Sequence, residues 1–271
     1  MTRFIAVACA VACASSVAHA GNLYLSLADN IGNEINGNGP FTDNDLVNTN
    51  DAVPFFSLNG GDLDAFHVLA NGNYLLSSLF NGDAGGNIFD DGDLVEYDPI
   101  NNVIVGNYLG IGNSAFADTG EDITAATTDE MGNLYFSTLS DATLNHAGGA
   151  LSFTDGDIIK VDAATGIASI FVAEADLWDD GDSDVYGLHW MGNGTMLITS
   201  NSDELVGGTS FLDGDIFSYD LATGAASLFF SESNFTSANT HDVDAIYYQI
   251  PAPSSALALA GLALVGARRR R

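Results

Sequence analysis

Residues 242–249 read DVDAIYYQ, an Asp-led alternating strand near the end of the chain. Three earlier stretches match it: DLDAFHVL from Asp62, DITAATTD from Asp122 and DVYGLHWM from Asp184. Each of those three is followed by a Gly-led strand: GNYLLS from Gly72, GNLYFS from Gly132 and GTMLIT from Gly194. The copy at 242–249 has no such follower. Its partner stands at the opposite end of the sequence, as GNLYLS from Gly21. One repeat is therefore divided between the two ends.

The rest of the repeat follows from these strands. After each Gly-led strand comes an acidic motif between two apolar residues: Phe41-TDND-Leu46, Phe89-DDGD-Leu94, Phe153-TDGD-Ile158 and Phe211-LDGD-Ile216. Each motif starts a third strand, and a turn such as DPINN from Asp98, DAATG from Asp162 or DLATG from Asp220 leads to a fourth. With the strands lettered a to d, the order is b-c-d, then a-b-c-d three times, then a final a. Radial repetition that hides its sheet edges is the signature of a β-propeller. The chain is thus read as all-β, a four-bladed propeller whose first blade is closed by the C-terminal strand. An open β-solenoid or a pair of sandwiches would also use such strands, but an open stack has no need to split one repeat between its ends. The third residue after the opening Asp is small in every copy (Ala65, Ala125, Gly187, Ala245), as a tight centre demands. Leu63, Ile123, Val185 and Val243 are apolar in every copy and are expected between blades.

Both ends of the chain read as addresses. Arg3, an apolar run and the Ala18-His19-Ala20 site make residues 1–20 a secretory signal peptide, with a mature start at Gly21. Cys9 and Cys13 leave a lipoprotein reading open, but Ala6 and Ala10 stand where that signal wants a larger aliphatic residue. Both cysteines lie inside the signal, so residues 21–250, read as one propeller domain, have no disulfide and no thiolate chemistry. Residues 251–271 read PAPSSALALAGLALVGARRRR. The apolar run is shorter than the roughly 20 residues of a spanning helix, and the arginines hold that end on the cytoplasmic side. A transient anchor, later cut, and a permanent tail anchor both fit.

This tail resembles the PEP-CTERM sorting signal of exported proteins from Gram-negative bacteria that build extracellular polysaccharide. Ala252 departs from the family, which has Glu there. The resemblance implies a sorting protease, an exosortase, as partner at the tail, and only transient contact with the inner membrane. It also implies a location at the cell surface or in the extracellular matrix, among exopolysaccharide and surface proteins.

Charge narrows the remaining functions. The basic residues are Arg3, Lys160 and Arg268 to Arg271, so without both signals Lys160 stands alone beside 36 acidic residues. Nucleic acid and anionic membrane surfaces need Lys/Arg clusters and are excluded as partners. Divalent cations or high salt would offset the self-repulsion.

Strands a and c run the same way within a blade, so their N-terminal ends share one face. A two-tier acidic ring is expected there. The outer tier comprises Asp43, Asp45, Asp91, Asp93, Asp155, Asp157, Asp213 and Asp215. The inner tier comprises Asp62 and Asp64, Asp122, Asp182 and Asp184, and Asp242 and Asp244, with Asp62, Asp122, Asp184 and Asp242 as its candidate metal ligands. Long b–c loops at 80–89, 140–153 and 201–211 open on the same side. Carboxylates flanking a glycine can converge on Ca2+, which takes six to eight oxygens. The same Asp-Gly pairs also cap tight turns through backbone N–H groups. Asp98, Asp162 and Asp220 read as turn caps. His67 and His189 lie five residues after their strand-a aspartates, on opposite blades, and are either core histidines or a metal or general-base pair. Trp178 and Trp190 are either core or sugar-stacking residues. Nucleophile and phosphate-loop motifs are absent. The favoured reading is a binding or structural module, calcium-stabilised. An extracellular hydrolase or lyase acting on polysaccharide or small esters is the alternative, since paired carboxylates suit glycoside hydrolysis.

Overall fold

The computed structural model describes residues 21–28, 33–117, 120–179, 181, 183–236 and 242–249. The signal peptide, the sorting tail, Asp182 and His241 lie outside the described residues. The first repeat contributes β1 (Asn22–Leu27), β2 (Asn33–Ile35), β3 (Asn38–Phe41), β4 (Asp45–Asn48) and β5 (Pro54–Ser57). The second contributes β6 (Leu63–Val68), β7 (Tyr74–Ser78), β8 (Gly82–Ala84), β9 (Asn87–Phe89), β10 (Val95–Asp98) and β11 (Val103–Asn107). The third contributes β12 (Ala125–Thr128), β13 (Leu134–Ser137), β14 (Ala142–His146), β15 (Gly149–Phe153), β16 (Ile158–Val161) and β17 (Ala168–Val172). The fourth contributes β18 (Val185–Gly192), β19 (Thr195–Ser200), β20 (Glu204–Val206), β21 (Thr209–Phe211), β22 (Ile216–Asp220) and β23 (Ala225–Phe230), and β24 (Val243–Gln249) ends the ring.

Four antiparallel four-stranded sheets result. Their orders are β24-β1-β4-β5, β6-β7-β10-β11, β12-β13-β16-β17 and β18-β19-β22-β23. The last strand is therefore the innermost strand of the first blade, paired along Asn22↔Gln249, Tyr24↔Tyr247 and Leu27↔Val243. The innermost strands pack on each other in the cyclic order β6, β12, β18, β24. This is the four-bladed propeller expected from the split repeat.

The core lies between blades. Four apolar clusters form, each drawing on two neighbouring sheets; one joins Leu75 and Leu94 to Phe136 and Ile159, and another joins Leu25 and Val47 to Leu197 and Ile216. Leu63, Ile123, Val185 and Val243 are wholly buried in these four clusters. Gly187 shows why the inner strand needs small residues: a Cβ there would sit 2.5 Å from the Asp244 carbonyl of the next blade.

The b–c connections differ from the loops expected. Every one holds a two-stranded hairpin: β2-β3, β8-β9, β14-β15 and β20-β21. The hairpin of the first blade, inside 33–41, went unrecognised in the sequence. Each hairpin ends on the Phe that opens the acidic motif, and Phe41, Phe89, Phe153 and Phe211 are all buried. That phenylalanine anchors the hairpin to the blade while its turn projects outward.

Candidate functional site at the axial mouth

The outer aspartates act on the backbone. In three of the motifs the last Asp folds back three residues: Asp45 accepts from Thr42 N at 2.9 Å, Asp157 from Thr154 N at 2.9 Å and Asp215 from Leu212 N at 3.1 Å. Three of the four last aspartates also reach the segment after strand d. Asp93 accepts from Asn113 N at 3.1 Å, Asp157 from Glu174 N at 2.8 Å and Asp215 from Glu232 N at 2.8 Å. Short helical turns at Asn113–Ala115, Glu174–Leu177 and Glu232–Asn234 supply these donors. The preceding aspartates serve their own turn: Asp155 and Asp213 accept from Gly156 N and Gly214 N, each at 3.0 Å. The Asp43 carbonyl accepts from Ser26 Oγ at 2.8 Å, and the Asp91 carbonyl accepts from Asn113 Nδ2 at 2.5 Å. On the other face Asp98, Asp162 and Asp220 each cap the c–d turn through two backbone N–H groups. Bonds from Asn101, Thr165 and Thr223 hold those three carboxyls below the usual range.

The motif glycine joins the two tiers across a blade boundary. A Cβ on Gly92 would overlap the Glu121 carbonyl, and one on Gly156 would overlap the Ser183 carbonyl. With no side chain in the way, Gly92 N donates to the Asp122 carboxylate of the next blade. Burial, then the nearby Asp91 charge, pushes the Asp122 carboxyl up to about 7. Asp184 accepts from Asn201 Nδ2 at 2.6 Å.

Among the described residues, the inner tier converges where blades one and two meet. Carboxylate oxygens of Asp62, Asp64 and Asp244 lie within 4.8 Å of one another, and all three residues are buried. A β-bulge brings the last two in. Between Leu63 and Ala65 the pairing of β6 with β7 slips by a residue, and the pairing of β24 with β1 slips in the same region. A bulge turns the extra side chain out of the alternation, here toward the axis. The corresponding residues of the other blades are Thr124 and Tyr186. With Asp242 these six residues line a cavity of about 140 Å³, rimmed by Ala28, Leu79 and Leu139. Asp64 is 7% exposed, and its Oδ2 has no hydrogen-bond partner among the described residues. Burial, with the charges of Asp122, Asp244 and Asp62, pushes the Asp64 carboxyl well above the carboxylate range.

Of the twelve candidate ligands, therefore, Asp62 and Asp242 line this cavity and the outer eight stand in turns. Asp64 and Asp244, members of the inner tier but not among its candidate ligands, complete the cluster. The bulge that aims them leaves no mark in the residue pattern.

Deeper on the axis His67 and His189 meet, with ring centroids 5.6 Å apart. Tyr247 stands edge-on to both rings, and Thr127 Oγ1 lies 3.1 Å from His67 Nδ1 while accepting from Trp190 N. Burial takes His67 down to about 4 and His189 well below its usual value. Both are neutral core residues, a plug under the mouth. Trp178 is buried against Phe217, and Trp190 stacks on Tyr135 at 5.1 Å, so both tryptophans are engaged within the fold.

The PEP-CTERM protein-sorting motif matches residues 249–271, in agreement with the resemblance read in the tail. The motif marks an exported protein and implies processing by an exosortase at the C-terminus. No curated protein gives a significant match. Among solved structures, an auxiliary nutrient binding protein from Bacteroides thetaiotaomicron VPI-5482 is similar at 11% identity and a TM-score of 0.38. The match covers 76% of this chain and 41% of that one, so this chain spans less than half of its length. A chain of the nidogen/laminin complex is similar at 10% identity and a TM-score of 0.38, over 84% of this chain and 98% of that one. Among the described residues, no helix is long and apolar enough to cross a membrane.

Proposed function

We propose that the protein is a binding or structural module of the cell surface or extracellular matrix, with the mouth face as its contact face. The observation that carries this reading is the sorting motif at 249–271, which follows directly on the closing strand β24. Two features support the choice of face. Topology places all four hairpins and the axial mouth on the same side. Phe80, Ile88, Leu139 and Leu212 are exposed apolar side chains there, set among carboxylates. Scattered apolar contacts on a polar surface suit an uncharged polar polymer such as an exopolysaccharide, or a surface protein.

The cavity weighs against the hydrolase reading. Small-molecule sites usually enclose roughly 300–1,000 Å³, and the mouth holds about 140 Å³. A sugar ring with its leaving group does not fit between the carboxylates, whereas a hydrated ion does. Repetition points the same way: four near-equivalent blades give a multivalent surface, while catalysis needs one asymmetric constellation.

The test uses cells that express the full chain and a form with Arg268 to Arg271 changed to serine. Fractionation and mass spectrometry should find the first cut near Pro251 and in the surface or matrix fraction, and the second retained uncut. Co-sedimentation with the cells' own exopolysaccharide should weaken when Phe80 and Ile88 become serine. An uncut chain in the inner membrane, or co-sedimentation indifferent to the hairpin changes, would sink this reading.

A further inference from the structure

The geometry points to a single divalent-cation site of the calcium class at the axial mouth, built from Asp62, Asp64 and Asp244, which pins the closing strand to the second blade. The argument starts from separation. Two ligands on opposite sides of an ion can be no farther apart than twice the metal–oxygen distance. For Ca2+ that limit is about 4.6–5.2 Å. The three carboxylate oxygens lie within 4.8 Å of one another, inside the reach of one calcium ion. Magnesium demands near-ideal octahedral geometry and gives up its waters reluctantly, so carboxylates set by two separate strands favour calcium.

The donor chemistry agrees. All the donors are oxygens, which suits a hard cation rather than zinc or copper. Three carboxylates, with Thr124, Tyr186, Asp242 and water within the same cavity, can supply the six to eight oxygens calcium takes. The independent sign of a ligand is Asp64. Its side chain is more than nine-tenths buried and lines the cavity, and Oδ2 has no hydrogen-bond partner among the described residues. A buried carboxylate oxygen left in that state is costly, and an ion between Asp64 and Asp244 satisfies it.

The position gives the ion a task. Asp62 and Asp64 belong to the start of β6, and Asp244 belongs to β24. An ion held by all three crosses the seam between the second blade and the strand that closes the ring. That strand ends at Gln249, where the sorting motif begins. Calcium therefore holds in place the strand from which the processed tail departs. Such a pin operates whether or not the mouth face binds a polymer, and its test reads metal and melting alone.

The experiment is calorimetric titration of the full chain with CaCl2 and with MgCl2 at fixed ionic strength, with melting curves in calcium and in chelator. One calcium per chain should bind, magnesium should bind at least about tenfold more weakly, and calcium should raise the melting temperature. Asp64→Asn and Asp244→Asn should each weaken calcium by at least about tenfold, while Asp155→Asn, in an outer turn, should leave it unchanged. Asp64→Asn should melt in chelator no lower than the parent, which shows that the loss is of a ligand and not of the fold. If both variants prove unstable, Tb3+ serves as a second readout on the parent chain. Its emission, excited through tyrosine, should fall when Tyr186 becomes phenylalanine. Absence of saturable calcium binding overturns the proposal, and so does binding that survives both substitutions or terbium emission indifferent to Tyr186.

Discussion

Asp157 and Asp215 each hold two backbone N–H groups from separate segments, one inside their own turn and one on the helical turn after strand d. Replacing Asp215 with alanine strands both donors, and the loss of such a cap costs about 2 kcal/mol. At this chain length that is a fall of roughly 4–8 °C in melting temperature, with calcium affinity unchanged. An Asp-Gly pair suits both turn capping and ion ligation, and the choice depends on whether a distant donor or a second carboxylate arrives. That is a tertiary fact, so the residues were legible and their partners were not. The axial histidines were located in the sequence because their spacing from the strand-a aspartate repeats. Their state is set by burial. A histidine whose folded value lies below its unfolded value of about 6.5 takes up protons on unfolding as the pH drops, so stability is lost between about pH 6.5 and pH 4. In imidazole spectra His67 and His189 should stay neutral at pH 6. A charged His67 at that pH would show that water enters the plug.

At the scale of elements, the strands were legible because their alternation repeats, and their small inner residues forecast the close approach seen at Gly187. The hairpins were not, since short polar segments such as β8-β9 carry little alternation. The bulges were not either, because a bulge changes pairing without changing residue type. One consequence concerns the joint between c and the next a. Asp122 accepts from Gly92 N and sits near Asp91 and Glu121, with its carboxyl raised to about 7. The folded state therefore holds this proton more tightly than the unfolded chain, and the group's contribution to stability is lost as pH rises from about 4 to about 7. Asp122→Asn removes that slope and keeps an acceptor for Gly92. In chelator the variant should gain on the parent between pH 4.5 and pH 8, by the order of 3 kcal/mol. Denaturant titrations at the two pH values measure it. A gain that does not change with pH would mean that Asp122 is solvated and ionised throughout.

The whole molecule rests on one joint. With 36 acidic residues and Lys160 as its lone base between the two addresses, the ring has almost no ion pairs to draw on, and its cohesion lies in four apolar seams between blades. Two of those seams need β24: Val243 and Ile246 pack with the fourth blade, and Ala245 packs with the second. Removing residues 243–249 should therefore unfold the ring rather than fray one edge, because both seams lose their inner wall and β1 loses its partner. A circular permutant separates this from a mere effect of length. Residues 242–249 moved ahead of Gly21, with a turn like the one between Val68 and Tyr74, restore the order a-b-c-d four times over. Antiparallel neighbours joined by a short turn keep every seam and shorten the loop that must close. The permutant should unfold in one cooperative transition, within about 2 kcal/mol of the parent, whereas the truncated chain should show none. A permutant that fails to fold would place the stability in the order of synthesis or in the tail, and a truncated chain that melts cooperatively would mean that three blades and three strands of the first are enough.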